Sequence, residues 1–289
     1  MTIDSQQDRV GALLQRANGH LGGEIVYRHT RWVRIWHWIN VLAIIFLLGS
    51  GLNIFNAHPR LYWGAYGDDA DPALFSLYSV EDHNGASHGI TQIGSVHIDT
   101  TGTLGWSTYR GEYSSRGWPS WATIPSFQDL ADARHWHFLF AWILVLNFAI
   151  YITWSVRRRH LQIDIVPTLR DLRSIPKSVS NHIRFKHPTG DAAKRYNVLQ
   201  RLAYVGVLLL LVVMVATGLT MSPAIDAFLP WLLDVFGGRQ TARTLHFLSA
   251  ALIVLFVFVH VAEVFIAGVV NEMRSMITGY YRVPSEHKQ

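Results

Sequence analysis

The stretch TARTLHFLSAALIVLFVFVHVAEVF, residues 241–265, contains two histidines fourteen residues apart in an apolar run, His246 and His260. At about 100° per residue, fourteen steps come within about 40° of a whole number of turns, so a helix places both imidazoles on one face. The same spacing separates them by about 21 Å along the helix axis. An imidazole inside a lipid bilayer is costly unless it has a partner. This stretch therefore predicts a membrane helix that carries two polar sites at two depths.

The composition predicts an all-α integral membrane protein. Of its 289 residues, 50% are hydrophobic and 16% are charged, whereas soluble domains usually have about 25% charged residues. Four apolar blocks are long enough to cross about 30 Å of hydrocarbon, which predicts a four-helix transmembrane bundle with a large extracytoplasmic loop between its first two helices. The predicted order is a cytoplasmic N-terminal segment (1–32), TM1 (33–53), a periplasmic loop (54–133), TM2 (134–156), a cytoplasmic basic loop with an interfacial helix (157–195), TM3 (196–221), a periplasmic loop (222–240), TM4 (241–268) and a cytoplasmic tail (269–289).

The charge distribution predicts the orientation. The segment 157–195 has ten Lys or Arg residues against three acidic residues, and 54–133 has three Arg against nine acidic residues. The positive-inside rule places the short basic segment and both termini in the cytoplasm. The first thirty residues lack the apolar core of a signal peptide, so the first span is expected to remain as an anchor. In a bacterium this predicts a multi-pass protein of the inner (cytoplasmic) membrane, in contact with lipids and not with nucleic acid.

The absence of cysteine excludes several chemistries. Without it there is no disulfide, no Cys-ligated iron–sulfur cluster, no covalently attached c-type haem and no thiolate catalysis. A redox centre would need other ligands, and the chain has 15 histidines.

Four histidines lie at complementary depths in the predicted spans. His37 lies near the inner end of the first span and His137 near the outer end of the second. Because successive spans run in opposite directions, the depths match only if His37 pairs with His260 and His137 with His246. Neutral imidazole is a good axial ligand for haem iron, so the pattern predicts two b-type haems. His135 is an alternative to His137.

Three arginines favour haem over a bare metal ion. Arg34, Arg134 and Arg243 each precede a predicted ligand by three residues, one turn nearer the membrane surface. A guanidinium there can bind a haem propionate. Gly49 and Gly218 are small enough to make room for a flat macrocycle. The other histidines lie in polar segments and are expected to be solvated: His29, His58, His83, His88, His97, His160, His182 and His187.

With these ligands in place, the sequence resembles the four-helix di-haem b-type cytochromes. These anchor formate dehydrogenases (their gamma subunit), nickel–iron hydrogenases (their b subunit) and thiosulfate-reductase-like enzymes, and are grouped with bacterial cytochrome b561. The resemblance is closer to the thiosulfate-reductase-type cytochrome b subunit. The segments that carry it are GLNIFNAHPRLYWG (51–64), IDTTGTLG (98–105), PSWATIPSFQDLADARHWHFLFAW (119–142) and RFKHPTGDAAKRYNVLQRLAY (184–204).

The resemblance implies a quinone site beside the inner haem. The family's YNxxQ pattern matches Tyr196 to Gln200, which makes Asn197 a candidate hydrogen-bond donor to a quinone carbonyl; the alternative is a helix cap. Glu263, one turn beyond His260, is a candidate acceptor for a quinol proton, and an interfacial carboxylate is the alternative. The resemblance also implies a partner, a periplasmic oxidoreductase of the molybdenum-pterin class.

The sequence therefore predicts a transmembrane electron conduit. Electrons would pass, in one direction or the other, along four carriers in order. These are quinone, the haem of His37 and His260, the haem of His137 and His246, and a redox subunit docked on residues 54–133. The chain makes no bond to substrate, so it is expected to be an electron-transfer subunit and not a complete enzyme. Two alternatives remain: a stand-alone b561-type quinol oxidase that uses a small acceptor, and a haem-free membrane scaffold.

Overall fold

The computed structural model describes residues 24–68, 70–184 and 196–283. The N-terminal part of the predicted cytoplasmic segment, the end of the basic loop with His187, and the end of the C-terminal tail lie outside the described residues. The helices are α1 (Arg31–Asn56), α2 (Leu130–Arg157), α3 (Leu169–Arg173), α4 (Ile175–Ile183), α5 (Val198–Thr220), α6 (Pro223–Phe228), α7 (Trp231–Phe236) and α8 (Arg239–Thr278). The strands are β1 (Ile25–Tyr27), β2 (Arg60–Leu61), β3 (Phe75–Glu81), β4 (Ser87–Ile93), β5 (Val96–Asp99), β6 (Gly105–Tyr109), β7 (Glu112–Arg116) and β8 (Tyr280–Arg282).

Four of the described helices are long and apolar enough to cross a membrane: α1, α2, α5 and α8. Each overlaps one of the four apolar blocks in the sequence, and the chain is mostly helical. The expectation of an all-α chain needs one correction, because residues 57–129, here called the α1–α2 connection, contain six strands. Alternating apolar and polar residues favour strands there, and the frequent glycines favour the turns between the strands.

The long helix α8 is interrupted at Gly268. Its φ of 106° and ψ of 86° are not helical, and only glycine adopts such a conformation at low cost. The interruption falls where the sequence predicts the last span to end. Beyond it the helix continues to Thr278, and side chains of α1 bind its last carbonyls: Trp38 Nε1 donates to Met276 O at 3.1 Å, and Arg34 donates to Ile277 O. These bonds satisfy carbonyls that have no partner within the helix.

The chain divides into two compact units, which are described separately. The terminal unit comprises Met1–Trp38, Ala149–Leu209 and Val254–Gln289, and the central unit comprises Ile39–Phe148 and Leu210–Ile253. In the terminal unit, β1 and β8 pair antiparallel, with Val26 opposite Tyr281. In the central unit, β2, β3, β4 and β5 form an antiparallel sheet in that order, and β6 and β7 form a hairpin.

In the basic segment, Thr168 begins α3 with a capping box. Its hydroxyl accepts from Asp171 N at 3.2 Å, and Asp171 Oδ2 accepts from Thr168 N at 2.8 Å. Arg201 of α5 also donates to Asp171 Oδ2 at 3.2 Å. The hydrogen bonds from Thr168 and the charge of Arg201 lower the pKa of Asp171 below its usual value. Pro167 lies just before this cap, where it cannot continue a helix from the preceding turn.

Buried side-chain amides attach the α1–α2 connection to the end of α1. Asn53 Nδ2 donates to Pro125 O at 2.8 Å and to Phe127 O at 2.9 Å. Asn56 accepts from Trp118 N at 2.6 Å and donates to Trp118 O at 3.2 Å. Both asparagines are buried, and leaving such groups unpaired would cost about 1–3 kcal/mol each. The connection is therefore packed onto its helix by specific hydrogen bonds.

The interior of the connection is organised around Arg116, which is 3% exposed. Its Nε donates to Trp118 O at 2.9 Å, and its Nη2 donates to Thr123 Oγ1 at 3.1 Å and to Ser126 O at 3.2 Å. One cation therefore ties β7 to the segment that leads into α2.

Replacing Arg116 by Met keeps most of the side-chain volume and removes all three hydrogen bonds. We expect the connection to lose about 3 kcal/mol of stability, because charged hydrogen bonds contribute about 1.5–3 kcal/mol each and the acceptors would be left buried. Limited proteolysis of the purified protein should then cleave residues 57–129 faster. Arg110→Met, at an exposed position in the hairpin turn, is the control, and equal cleavage of the two variants would contradict this role of Arg116.

Candidate functional site

In the central unit, His137 of α2 faces His246 of α8. Their ring centroids are 6.3 Å apart and the rings are inclined at 58°. Both side chains are half-buried, whereas His135 is exposed. The helix places His135 and His137 about 200° apart around the axis, so only His137 faces α8.

In the terminal unit, His37 of α1 faces His260 of α8. Their ring centroids are also 6.3 Å apart, with the rings inclined at 69°. Phe256, one turn before His260 on α8, stacks on its ring with centroids 5.8 Å apart. The two pairs are the ones that the depth argument from the sequence predicts.

The separation of the rings suits an iron atom between them. A metal bound to two imidazole nitrogens at about 2 Å each, with each ring centre about 1 Å farther, holds the centroids about 6 Å apart. Within the described parts of the chain, no group of three or more His, Asp or Glu side chains could hold a metal ion. A zinc site needs three or four protein ligands, whereas a haem supplies four nitrogens and needs only two axial imidazoles. The residues of both pairs therefore fit a bis-histidine haem.

Two hydroxyls contact the rings of the central pair. Ser50 Oγ of α1 lies 3.1 Å from His137 Nδ1, and Thr217 Oγ1 of α5 lies 3.0 Å from His246 Nδ1. Ser50 and Thr217 are completely buried. The patterns in the sequence predicted neither residue, although each stands directly before a glycine, in Ser50-Gly51 and in Thr217-Gly218.

The glycines allow a helix backbone to lie close to each ring. A Cβ added to Gly51 would lie 3.4 Å from His137 Cε1, and one added to Gly218 would lie 3.4 Å from His246 Cε1. Gly49 has a different neighbour: a Cβ there would lie 2.6 Å from Ile124 Cγ1. The expectation that Gly49 makes room for a macrocycle is therefore corrected, because Ile124 of the α1–α2 connection occupies that side of the helix.

The three arginines differ in their surroundings. Arg34 donates to Ile277 O, and its Nε is buried with no hydrogen-bond partner among the described residues. Arg243 donates to His58 O and lies over the ring of Phe55. Arg134 is exposed, with its guanidinium 5.6 Å from the centre of the Phe138 ring. An unpartnered buried donor is what an anionic group such as a propionate would satisfy, and Arg34 has one.

Asn197 caps α5. Its Oδ1 accepts from Gln200 N at 2.9 Å, and Gln200 Oε1 accepts from Asn197 N at 3.1 Å. This reciprocal arrangement is a capping box, and it uses the oxygen of the Asn197 amide. The amino group of that amide remains chemically able to donate to a ligand.

The acidic residues near His260 lie on both sides of Gly268. Glu263 is half-buried on the turn after His260. Glu272, beyond the interruption, lies 3.9 Å from Arg28.

His29 lies outside the two imidazole pairs. Its burial and the positive charges of Arg28, His37 and Arg34 together lower the pKa of His29 to about 4. His29 is therefore half-buried and neutral at pH 7, which corrects the expectation that it is solvated.

The family model for prokaryotic cytochrome b561 matches residues 28–279. The chain belongs to the prokaryotic cytochrome b561 family. It is also 28% identical, over 257 residues, to an Azospira oryzae protein named "Putative protein-methionine-sulfoxide reductase subunit YedZ1". That match covers 89% of this chain and 98% of the relative. The family assignment and the four candidate membrane helices identify the chain as a multi-pass, haem-binding membrane protein of electron transfer.

Proposed function

We propose that this chain carries two b-type haems and transfers electrons between the quinone pool and a periplasmic redox protein. His37 and His260 hold one haem, and His137 and His246 hold the other. The observation that carries the proposal is the repetition of one geometry: two imidazole pairs, each joining α8 to a different helix, both with ring centroids 6.3 Å apart.

The residues of the chain provide ligation, burial and charge compensation. A bound haem supplies one-electron redox chemistry. The imidazoles supply neutral axial ligands, and Arg34, Arg134 and Arg243 supply positive charge for propionates. Because His246 and His260 lie fourteen residues apart on one helix, they are separated by about 21 Å along its axis. This spacing suits transfer across the membrane in two steps.

On the cytoplasmic side, we place the quinone beside the pair His37–His260. Asn197 would donate its amide N–H to a quinone carbonyl while its oxygen caps α5. Glu263 would accept a proton when quinol is oxidised. A carboxylate within a membrane span is costly unless it has such a role or reaches the interface.

The α1–α2 connection supplies the docking surface for the partner. The predicted loop 54–133 has nine acidic residues and three arginines, so it should attract a basic face of the partner. Exposed aromatic side chains can act as anchors there: Trp121 is 82% exposed and Tyr66 is 89% exposed. The name of the Azospira relative supports a sulfoxide-reducing partner, which would use electrons taken from quinol. The molybdenum-pterin class of that partner comes from the family resemblance of the sequence alone.

Two alternatives make different predictions. A stand-alone quinol oxidase would pass electrons to a small acceptor without a protein partner. A haem-free scaffold would use its histidines only as polar contacts between helices and would be colourless. The buried contacts of Asn53 and Asn56 make deletion of the whole connection a poor test, since deletion would also remove packing from α1.

Haem quantification with a reduced-minus-oxidised absorption spectrum tests the ligand assignment. We expect two low-spin b haems per chain in the wild type, with His260→Ala and His246→Ala each losing a different one, because each removes one axial ligand. His135→Ala, at the exposed alternative position, should keep both haems. A colourless wild type, or loss of a haem in His135→Ala, would overturn the assignment.

Asn197→Asp separates the cap from the quinone contact. Aspartate keeps the oxygen that caps α5, and it removes the N–H donor. The quinol-dependent rate of haem reduction should fall about fivefold, as expected for the loss of one hydrogen bond of about 1 kcal/mol. Thermal stability should stay unchanged. The control is Asn197→Ala, which loses the cap as well and should also melt at a lower temperature. An unchanged rate in Asn197→Asp would remove Asn197 from the quinone site.

Trp121→Ala and Tyr66→Ala test the docking surface. Each should slow the reoxidation of the reduced protein by a purified periplasmic sulfoxide reductase from the same organism by about tenfold, since anchor residues contribute more than about 1 kcal/mol. Reoxidation by ferricyanide should stay at the wild-type rate. Trp142→Ala, an exposed aromatic on α2, is the control. If both oxidants were affected equally, the defect would lie in the haem sites and not in docking.

A further inference from the structure

The hydrogen bonds around His137 and His246 determine which ring nitrogen carries the proton. Thr217 Oγ1 donates to Val213 O at 2.7 Å, and Ser50 Oγ donates to Phe46 O at 2.6 Å. A hydroxyl has one proton to donate, so each oxygen accepts from the neighbouring Nδ1. His246 Nδ1 also lies 3.1 Å from Met214 O, which can only accept. Both histidines therefore carry the proton on Nδ1.

This tautomer leaves Nε2 as the ligand atom of each ring. A neutral imidazole has one N–H and one lone pair. With Nδ1–H bonded to the hydroxyl, the lone pair on Nε2 is available to a metal. The hydroxyls thus fix the tautomer and the orientation of each ring in the central pair, as hydrogen-bond partners of metal-ligating histidines generally do.

The two halves of this arrangement match residue by residue. On α1, Ser50 precedes Gly51 and contacts the histidine of α2. On α5, Thr217 precedes Gly218 and contacts the histidine of α8. Each hydroxyl donates to the carbonyl four residues before it, and each glycine lies at the same 3.4 Å from the Cε1 of the ring. The same arrangement of a hydroxyl residue and a glycine against an imidazole thus occurs on two separate helices, which argues against a coincidental contact.

The terminal pair is different. Within the described residues, no hydrogen bond to a ring nitrogen of His37 or His260 is present, and the contacts to their rings are aromatic, from Trp38 and Phe256. The two pairs therefore differ in their surroundings: hydroxyls bind the rings of the central pair, and aromatic side chains contact the rings of the terminal pair.

We infer that Ser50 and Thr217 are positioning residues that set the redox potential of the haem held by His137 and His246. The inference rests on the proposed function for its ligands. An acceptor on Nδ1–H makes the imidazole a stronger electron donor to iron, and a stronger donor favours the oxidised form. The two hydroxyls consequently hold this potential lower than that of the same site without them.

The test is a potentiometric titration of the full chain with both haems bound, followed by absorption and by electron paramagnetic resonance. Ser50→Ala and Thr217→Val remove the hydroxyl and little volume. Ser50→Thr and Thr217→Ser keep the hydroxyl and serve as conservative variants. Thr220→Val is the matched control, because Thr220 is also buried on α5 but its hydroxyl donates to Thr217 O, a backbone atom.

We expect Ser50→Ala and Thr217→Val to retain two haems and to raise one midpoint potential, that of the haem which His246→Ala removes. The other midpoint should not move, the conservative variants should return to the wild-type value, and Thr220→Val should resemble the wild type. Unchanged midpoints, a shift of the other haem, or an equal shift in Thr220→Val would overturn the inference.

Loss of haem in Thr217→Val would shift the test to Thr217→Ser, which must keep both haems at wild-type potentials; failure there would also overturn the inference. The proposed function fails by a different result, namely a wild type without two haems or a His246→Ala variant that keeps both. The two failures are thus distinguishable.

Discussion

Two pairs of histidines face each other across helix interfaces, and the rest of the structure depends on this constraint. A neutral histidine in a membrane interior needs a partner for its lone pair and its N–H. Here α8 provides one imidazole to each pair, and α1 and α2 provide the others, with centroids 6.3 Å apart in both cases. α8 therefore has to face α2 within the central unit and α1 within the terminal unit.

Close approach of backbone is the second requirement, and glycine and small hydroxyl residues meet it. Gly51 and Gly218 bring helices against imidazole rings, and Gly49 admits Ile124 of the α1–α2 connection. Ser50 and Thr217 occupy little space, and each hydroxyl donates a hydrogen bond to a backbone carbonyl of its own helix. Packing and polarity are satisfied together, because the same residues that allow contact also accept the imidazole N–H.

The α1–α2 connection combines two roles that are separable in principle. Its interior, held by Arg116 and by the amides of Asn53 and Asn56, belongs to the structure of the central unit. Its surface, with exposed aromatics and an excess of acidic residues, is the part proposed for a partner. Point variants are therefore needed to reveal the function of the connection, since its removal would disturb α1 as well.

The sequence alone determined the four apolar helices, the family to which the chain belongs, and the two pairings of histidines, because hydrophobic length, charge bias and helical periodicity are local properties. Only the tertiary structure decided which face of each helix meets which neighbour. For that reason it alone distinguished His137 from His135, showed the amide of Asn197 as a cap, and brought Ser50 and Thr217 to the imidazoles of other helices. Those contacts depend on rotations between helices, and no spacing within one helix contains that information.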